Sequence, residues 1–296
     1  MGLWRVAVAT AVLVAIGAVA GFATPGLARA DQATVARGAY VVRAAGCLTC
    51  HTDAKNKGAP LAGGRALSTP FGTFYTPNIT PDPKFGIGAW SDEDFARALG
   101  QGVAPDGHHY YPAFPYTSYT GMAARDVADL KAYIFAQAPV ARANRPHDLH
   151  FPFNVRALMG IWKMLFFKPG RRARDPARDE AWNRGAYLVA HLGHCGECHT
   201  PRNFLGARDE ARALAGNPSG PEGKKVPNIT PHQRDGIGAW SASDLAYFLK
   251  TGFLPDGDVA GGAMTEVIEE STSHLSDSDR AAIATYLLAQ IPVPEP

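Results

Sequence analysis

The sequence predicts an all-α protein built from two tandem copies of one small helical domain. First, blocks recur at an offset of 150 residues: Pro77–Pro81 returns as Pro227–Pro231, and Gly86–Ser91 returns as Gly236–Ser241. Second, residues typical of helix termini flank segments of helical period. Third, few segments alternate with the period of two that a half-buried strand requires. With 296 residues, the chain is long enough for two domains with their own cores.

All four cysteines belong to one repeated motif. Cys47-Leu48-Thr49-Cys50-His51 and Cys195-Gly196-Glu197-Cys198-His199 share the pattern C-x-x-C-H, in which two thiols can join one porphyrin and the histidine can bind its iron. A thioredoxin-like dithiol would need a β-α-β context, and a zinc site would leave both histidines without a role. The motifs therefore predict two covalently bound haem c groups in class I-like cytochrome c domains. The predicted attachment residues are Cys47, Cys50, Cys195 and Cys198, and the predicted proximal iron ligands are His51 and His199.

Residues 1–30 have the composition of a signal peptide. Arg5 precedes a long apolar run, and Ala28-Arg29-Ala30 matches the small-residue pattern of a cleavage site. An uncleaved membrane anchor is the alternative, because the apolar run is long for a signal peptide. Both interpretations predict export to the periplasm, where this haem motif is loaded in bacteria, or to the periplasmic face of the inner membrane.

The repeat divides the chain into four predicted segments. These are a signal peptide (1–30), a first cytochrome c domain (31–140), a linker (141–181) and a second cytochrome c domain (182–296). In the first copy, a short helix with Tyr40-Val41-Val42 precedes the motif, a capping box at Ser91 and Asp94 opens a helix that ends near Gly100, and a last helix covers Asp126–Ala136. The second copy has the equivalent features at Tyr187–Val189, Ser241 and Asp244, Gly252, and Asp277–Ala289, the last with Ser276 as N-cap where the first copy has Ala123.

The linker is predicted to contain an amphipathic helix. Apolar residues recur at helical spacing after Asn154, a candidate N-cap, and a basic cluster follows them. One interpretation is contact with a membrane surface or a partner subunit, and the other is a connector packed against the two domains. The apolar residues are Val155, Leu158, Met159, Trp162, Leu165 and Phe166, and the basic ones are Lys168, Arg171, Arg172 and Arg174.

The sixth iron ligand decides between a carrier and a catalyst, since a haem with two protein ligands transfers electrons whereas an open one can transform a bound molecule. Met264 is the single methionine of the second copy and is the predicted ligand there, in a loop before the last helix. The offset of 150 places Phe114 at the equivalent position of the first copy, and phenylalanine cannot bind iron. Met122 is the predicted ligand instead, with His108, His109 or an open position as alternatives.

Two more repeated features have two interpretations each. The loops Asn78–Thr80 and Asn228–Thr230, and the indoles of Trp90 and Trp240, either line the haems or stabilise the fold.

Charge excludes one function class: residues 1–30 hold two basic and no acidic residues, so basic and acidic residues are equal in number in the rest of the chain. No basic field therefore predicts binding to nucleic acid.

Five longer motifs are distinctive: Pro60–Gly64, Pro77–Asp82, Gly86–Phe95, Asp106–Tyr116 and Phe151–Asn154. They resemble one family, the multihaem cytochrome c subunits of bacterial membrane-associated dehydrogenases for alcohols, aldehydes and gluconate. The resemblance covers nearly the whole chain after residue 30. It implies a non-catalytic subunit that takes electrons from a catalytic dehydrogenase subunit and passes them to quinone, a cytochrome or an oxidase, with peripheral membrane contact. The alternatives are a free-standing electron shuttle and a catalytic dihaem enzyme, a sulfur-compound oxidase or a peroxidase, that uses the first haem.

Overall fold

The computed structural model describes residues 31–296, so the predicted signal peptide lies outside the described residues. The described chain is largely helical, as predicted. The first copy contains α1 (Gln32–Ala44), α2 (Cys47–His51), α3 (Asp92–Gln101), α4 (Tyr116–Tyr119) and α5 (Ala124–Phe135), and α6 (Leu158–Phe166) follows it. The second copy contains α7 (Glu180–Tyr187), α8 (Gly196–His199), α9 (Ala242–Thr251), α10 (Ala263–Glu270) and α11 (Asp277–Leu288).

Three short strands form a small antiparallel sheet that the sequence did not predict. The strands β1 (Ala66–Thr69), β2 (Gly72–Tyr75) and β3 (Asp148–Leu149) pair in the order β1-β2-β3. The third strand comes from the segment after the first copy, so the sheet holds the linker against the loop that follows the first C-x-x-C-H motif. Strands of two to four residues are too short to show a period in the sequence.

The predicted capping boxes are both present. The Ser91 and Ser241 hydroxyls accept from the amides of Asp94 and Asp244, whose carboxylates accept from the serine amides in return. Gly252 ends α9 in the left-handed conformation, as predicted. The prediction of Gly100 as the end of α3 is wrong, because the helix continues to Gln101 and Gly102 is its left-handed C-cap, at the same offset of 150 from Gly252.

The first and last helices of each copy cross closely. A Cβ atom on Gly38 would lie 2.0 Å from the Asp129 carbonyl oxygen, and one on Gly185 would lie 2.0 Å from the Ala282 carbonyl oxygen. Glycine is therefore required at both crossings of α1 with α5 and of α7 with α11. Beside each glycine an arginine binds an aspartate of the last helix: Arg37 with Asp129 and Arg184 with Asp279.

One hydrophobic core contains residues of both copies. Leu130 and Ile134 from α5 belong to the same cluster of buried side chains as Leu188, Leu192 and Leu287 from the second copy. The two copies are thus packed against each other through their interiors. Among residues 31–296 no helix is long and apolar enough to span a membrane.

The linker helix differs from its prediction at the N-terminus. α6 begins at Leu158 with Ala157 as N-cap, so the prediction of Asn154 in that role is wrong, and the segment before it forms turns. Met159 and Trp162 are buried in a cluster with residues of both copies, and the Trp162 indole donates to the carbonyl oxygen of Leu205 in the second copy at 2.9 Å.

Candidate cofactor-attachment sites

Each C-x-x-C-H motif forms one helical turn, α2 or α8. The two cysteines of a motif are three positions apart, so both thiols lie on one side of the turn. The residue before the first cysteine has a left-handed backbone in both copies, Gly46 with φ 62° and His194 with φ 40°. The four cysteines are partly exposed and form no disulfide, so all the thiols are free to react.

The surroundings of the thiols favour their neutral form. Burial, followed by the neighbouring Cys50 thiol, raises the pKa of Cys47 to about 12, and burial and Cys198 raise the pKa of Cys195 to about 12. All four cysteines are therefore neutral thiols, and partly exposed thiols in a buried setting fit covalent attachment of an apolar macrocycle.

The two motif histidines are held in one orientation by backbone carbonyls. His51 Nδ1 lies 2.8 Å from the Pro77 carbonyl oxygen, and His199 Nδ1 lies 2.7 Å from the Pro227 carbonyl oxygen. A carbonyl only accepts, so Nδ1 carries the proton and Nε2 keeps its lone pair. Burial lowers the pKa of both imidazoles. A neutral imidazole with an oriented Nε2 is the form that binds haem iron, so both donor sets fit a haem c.

The repeated Pro-Asn-Ile-Thr-Pro block fixes those carbonyls. Asn78 and Thr80 are buried, and the Asn78 side-chain oxygen accepts from the Thr80 amide and hydroxyl. The Asn78 amide group donates to the Val140 carbonyl oxygen at 2.8 Å, and Asn228 donates to Val293 in the same way at 2.6 Å. These contacts support the structural interpretation of the block, because its polar groups are bound by the protein. Trp90 and Trp240 are partly buried against the core.

The first copy places its candidate sixth ligands in different surroundings. Met122 is buried in the shared core, as is its counterpart Leu275 in the second copy. Phe114 packs edge-to-face against Tyr119 with ring centroids 5.8 Å apart. His108 Nδ1 lies 2.6 Å from the Asp106 carboxylate, and His109 is bound by Lys163 at 3.0 Å. Met122 is thus the buried candidate of the three, and its assignment stays a prediction.

Met264 lies in a helix rather than in the predicted loop. It is the second residue of α10, which begins after Gly262, and it is partly buried against the shared core. The same helix reaches the first copy, where Glu266 binds Arg65, and Arg65 donates to the Thr49 carbonyl oxygen at 2.5 Å. The segment of the second copy that carries Met264 therefore contacts the first motif.

Sequence reasoning missed a buried carboxylate inside the second motif. The Glu197 side chain is 9% exposed, and it accepts hydrogen bonds from Thr117 and Ser118 of the first copy at 2.7 Å each. Burial alone would raise the pKa of Glu197, but Arg208 and Arg202 outweigh it and lower the pKa to about 2. The signal in the sequence was a charged residue in the motif where the first copy has Thr49.

Comparisons with known proteins show the family of the chain. A model of the cytochrome c family matches residues 35–137. The chain is 51% identical over 255 residues to the "Diheme cytochrome c-type" protein of Cereibacter sphaeroides, a match that covers 85% of this chain and 84% of that protein.

Larger relatives are subunits of dehydrogenases. The chain is 44% identical to the "Fructose dehydrogenase cytochrome subunit" of Gluconobacter japonicus, over 89% of this chain and 54% of that protein. It is 43% identical to the "Gluconate 2-dehydrogenase cytochrome c subunit" of Pantoea cypripedii, over 88% of this chain and 60% of that protein. The chain thus spans a little over half the length of these two relatives.

Proposed function

The chain belongs to the cytochrome c family and carries two covalently bound haem c groups, and on this premise we propose that it transfers electrons as the cytochrome subunit or dedicated acceptor of a dehydrogenase. The observation that carries the proposal is the pair of attachment motifs, each with an Nε2 lone pair oriented by a proline carbonyl. When bound, each haem supplies a one-electron carrier. The protein's part is to hold the two groups in a buried setting and to exclude other chemistry at the iron.

The proposed ligand sets give each site its role. Cys47 and Cys50 attach the first haem and Cys195 and Cys198 the second, with His51 and His199 as proximal ligands. We assign Met122 and Met264 as sixth ligands, which would leave no open position for substrate. The corresponding domains are 31–140 and 182–296, joined by the linker 141–181.

A ligand test decides between carrier and catalyst. Met122→Leu in the holoprotein should change the visible spectrum of one haem, since the sulfur–iron bond is lost. Met159→Leu, at another buried methionine, is the matched control and should leave both spectra unchanged. Carbon monoxide should bind neither haem of the parent protein. Rapid binding to one haem would contradict the carrier proposal and favour the catalytic alternative, in which Phe114 leaves the first site open.

The electron donor we propose is a dehydrogenase catalytic subunit in the periplasm, and the acceptor is a quinone, cytochrome or oxidase. Support comes from the names of the relatives, which are cytochrome subunits of dehydrogenases. When the full chain is affinity-purified from its own cells, a dehydrogenase should be recovered with it in an equal molar amount. Recovery of the cytochrome alone, from the periplasmic fraction, would favour the free-standing shuttle.

The same role suits a peripheral contact with the membrane through α6. Ile161, Met164 and Leu165 are exposed on this helix, Met164 to 78%, and the basic cluster at 168–174 follows it. Apolar side chains beside positive charge fit a surface of anionic lipids. We expect the holoprotein to sediment with phosphatidylglycerol vesicles and Met164→Asp to weaken this, whereas Ile291→Asp, at an equally exposed residue, should not. Equal sedimentation of both variants would contradict the contact.

A further inference from the structure

The interface between the two copies has the symmetry of a homodimer. Tyr40 of the first copy donates to Asp279 of the second at 2.5 Å, and its counterpart Tyr187 donates to Asp126 of the first at 2.5 Å. Each tyrosine oxygen also accepts from the amide that precedes the last helix of the other copy, Ser276 at 3.1 Å and Ala123 at 2.9 Å. Reciprocal contacts between equivalent residues define an isologous interface, here within one chain.

At the centre of an isologous interface, each residue lies close to its own counterpart. In this chain the centre of the interface lies between the two haem-attachment motifs. Gly46 precedes Cys47, and His194 precedes Cys195. A Cβ atom on Gly46 would lie 3.7 Å from His194 Nε2, so the imidazole covers the glycine. The residue that precedes each motif therefore lies beside its counterpart.

His194 keeps this place at a conformational cost. Its φ of 40° lies in the left-handed region, which glycine adopts freely in the other copy and which a side chain makes unfavourable. A single turn of π-helix, Leu188–Leu192, precedes it. Insertions of this kind are frequent at functional sites. Because glycine would relieve the backbone at this position, the presence of a histidine indicates that the imidazole itself contributes to the contact.

Tyr119 completes the contact from the first copy. Its ring lies edge-on to the His194 ring with centroids 5.5 Å apart, and its hydroxyl donates to the Ala45 carbonyl oxygen at 2.6 Å. Tyr119 is 6% exposed, so the space between the motifs is filled. On either side each motif is also bound by the other copy, through Glu197 with Thr117 and through Arg65 with Glu266.

We propose that His194 and Tyr119 are positioning residues that fix the spacing of the two haems through the contact between their attachment motifs. The inference rests on the proposed function, since it concerns the groups attached there. Coulomb interaction between two charged centres depends on their separation and on the medium between them. A fixed, filled contact therefore makes the reduction potential of each haem depend on the redox state of the other.

The test uses the holoprotein and the variant His194→Gly, which restores in the second copy the residue of the first. Lys57→Gly is the matched control, because exposed Lys57 also has a left-handed backbone, with φ 54°, and lies outside the contact. The readouts are the two midpoint potentials from a redox titration and the Soret circular dichroism, in which neighbouring haems give a couplet. Thermal unfolding is recorded in parallel.

We expect His194→Gly to retain both haems and the unfolding temperature of the parent, to lose amplitude in the Soret couplet and to shift at least one potential. Lys57→Gly should match the parent in both haem readouts. A couplet and potentials identical to the parent in His194→Gly would overturn the proposal. If His194→Gly does not fold, Tyr119→Phe removes one oxygen atom, and an unchanged couplet and unchanged potentials in that variant would overturn it equally. Failure of the proposed function is a separate result, namely rapid binding of carbon monoxide to one haem of the parent protein.

Discussion

Glu197 offers the sharpest test of the interface, because its carboxylate is buried and bound by four groups from two copies. Thr117 and Ser118 donate to it at 2.7 Å, and Arg202 and Arg208 bind it at 2.6 and 3.0 Å. Removing one partner of a buried ion pair costs about 3–5 kcal/mol, since the other charge is left uncompensated. Glutamine can keep the two hydroxyl donors, so we expect Glu197→Gln to lower the free energy of unfolding by about 3 kcal/mol.

The assay is urea unfolding of the holoprotein at pH 7, where a loss of stability lowers the midpoint and leaves the slope unchanged. Glu210→Gln is the control, because Glu210 binds the same Arg208 at 3.0 Å while its side chain is 67% exposed, and exposed pairs contribute about 1 kcal/mol or less. If Glu197→Gln is no more destabilising than Glu210→Gln, the carboxylate is not the buried anchor that its contacts indicate.

Three further predictions concern the Pro-Asn-Ile-Thr-Pro block of the second copy, acid stability and cofactor content. Asn228→Ala should cost about 2 kcal/mol in urea unfolding, because it leaves the buried Thr230 amide without the Asn228 side-chain oxygen that accepts from it. Burial alone would raise the pKa of Asp279, but hydrogen bonds from Arg184 and Tyr40 lower this pKa below the ordinary 3.8. The contribution of Asp279 to stability is therefore present above pH 3.8 and is lost on further acidification. The urea midpoint should fall between pH 7 and pH 3, and it should fall less in Asp279→Asn. Serine at both cysteines of the second motif should halve covalent haem, measured by pyridine haemochrome.

Repetition made much of the fold predictable from the sequence. Three residues of the Arg-Gly-Ala-Tyr block that precedes each motif make packing contacts. In the first copy, Arg37 binds the last helix of the same copy, Gly38 permits the close crossing of α1 with α5, and Tyr40 binds the second copy. Each residue type is needed for its contact, so the block is preserved at both positions. The capping boxes and the attachment motifs were predictable because each is formed by residues that lie within a few positions of one another in the sequence.

Features that depend on distant partners were not predictable. Asp148 and Leu149 form a strand because they pair with the edge of β2. A segment of two residues is too short to show an alternation of apolar and polar residues in the sequence. Asparagine is a favoured N-cap residue, which is why Asn154 was predicted in that role. Turns follow it instead, and α6 begins at Leu158. Met264 was assigned to a loop because glycines precede it, whereas Gly262 with φ 62° is the N-cap that turns the chain into α10. The burial of Glu197 depends on residues 80 positions away.

The isologous interface bears on how two haems in one chain can differ. Identical copies related by a two-fold axis would give the two groups equal surroundings and equal potentials, so any difference must come from positions where the repeat is broken. Several of these positions lie at or near the motifs: Gly46 against His194, Thr49 against Glu197, and Phe114 against Met264. Ligand type and local charge are the determinants of haem potential. The tyrosine–aspartate contacts that pack the copies together are equivalent, whereas the residues able to separate the two potentials, and so to give electron flow a direction, differ between the copies.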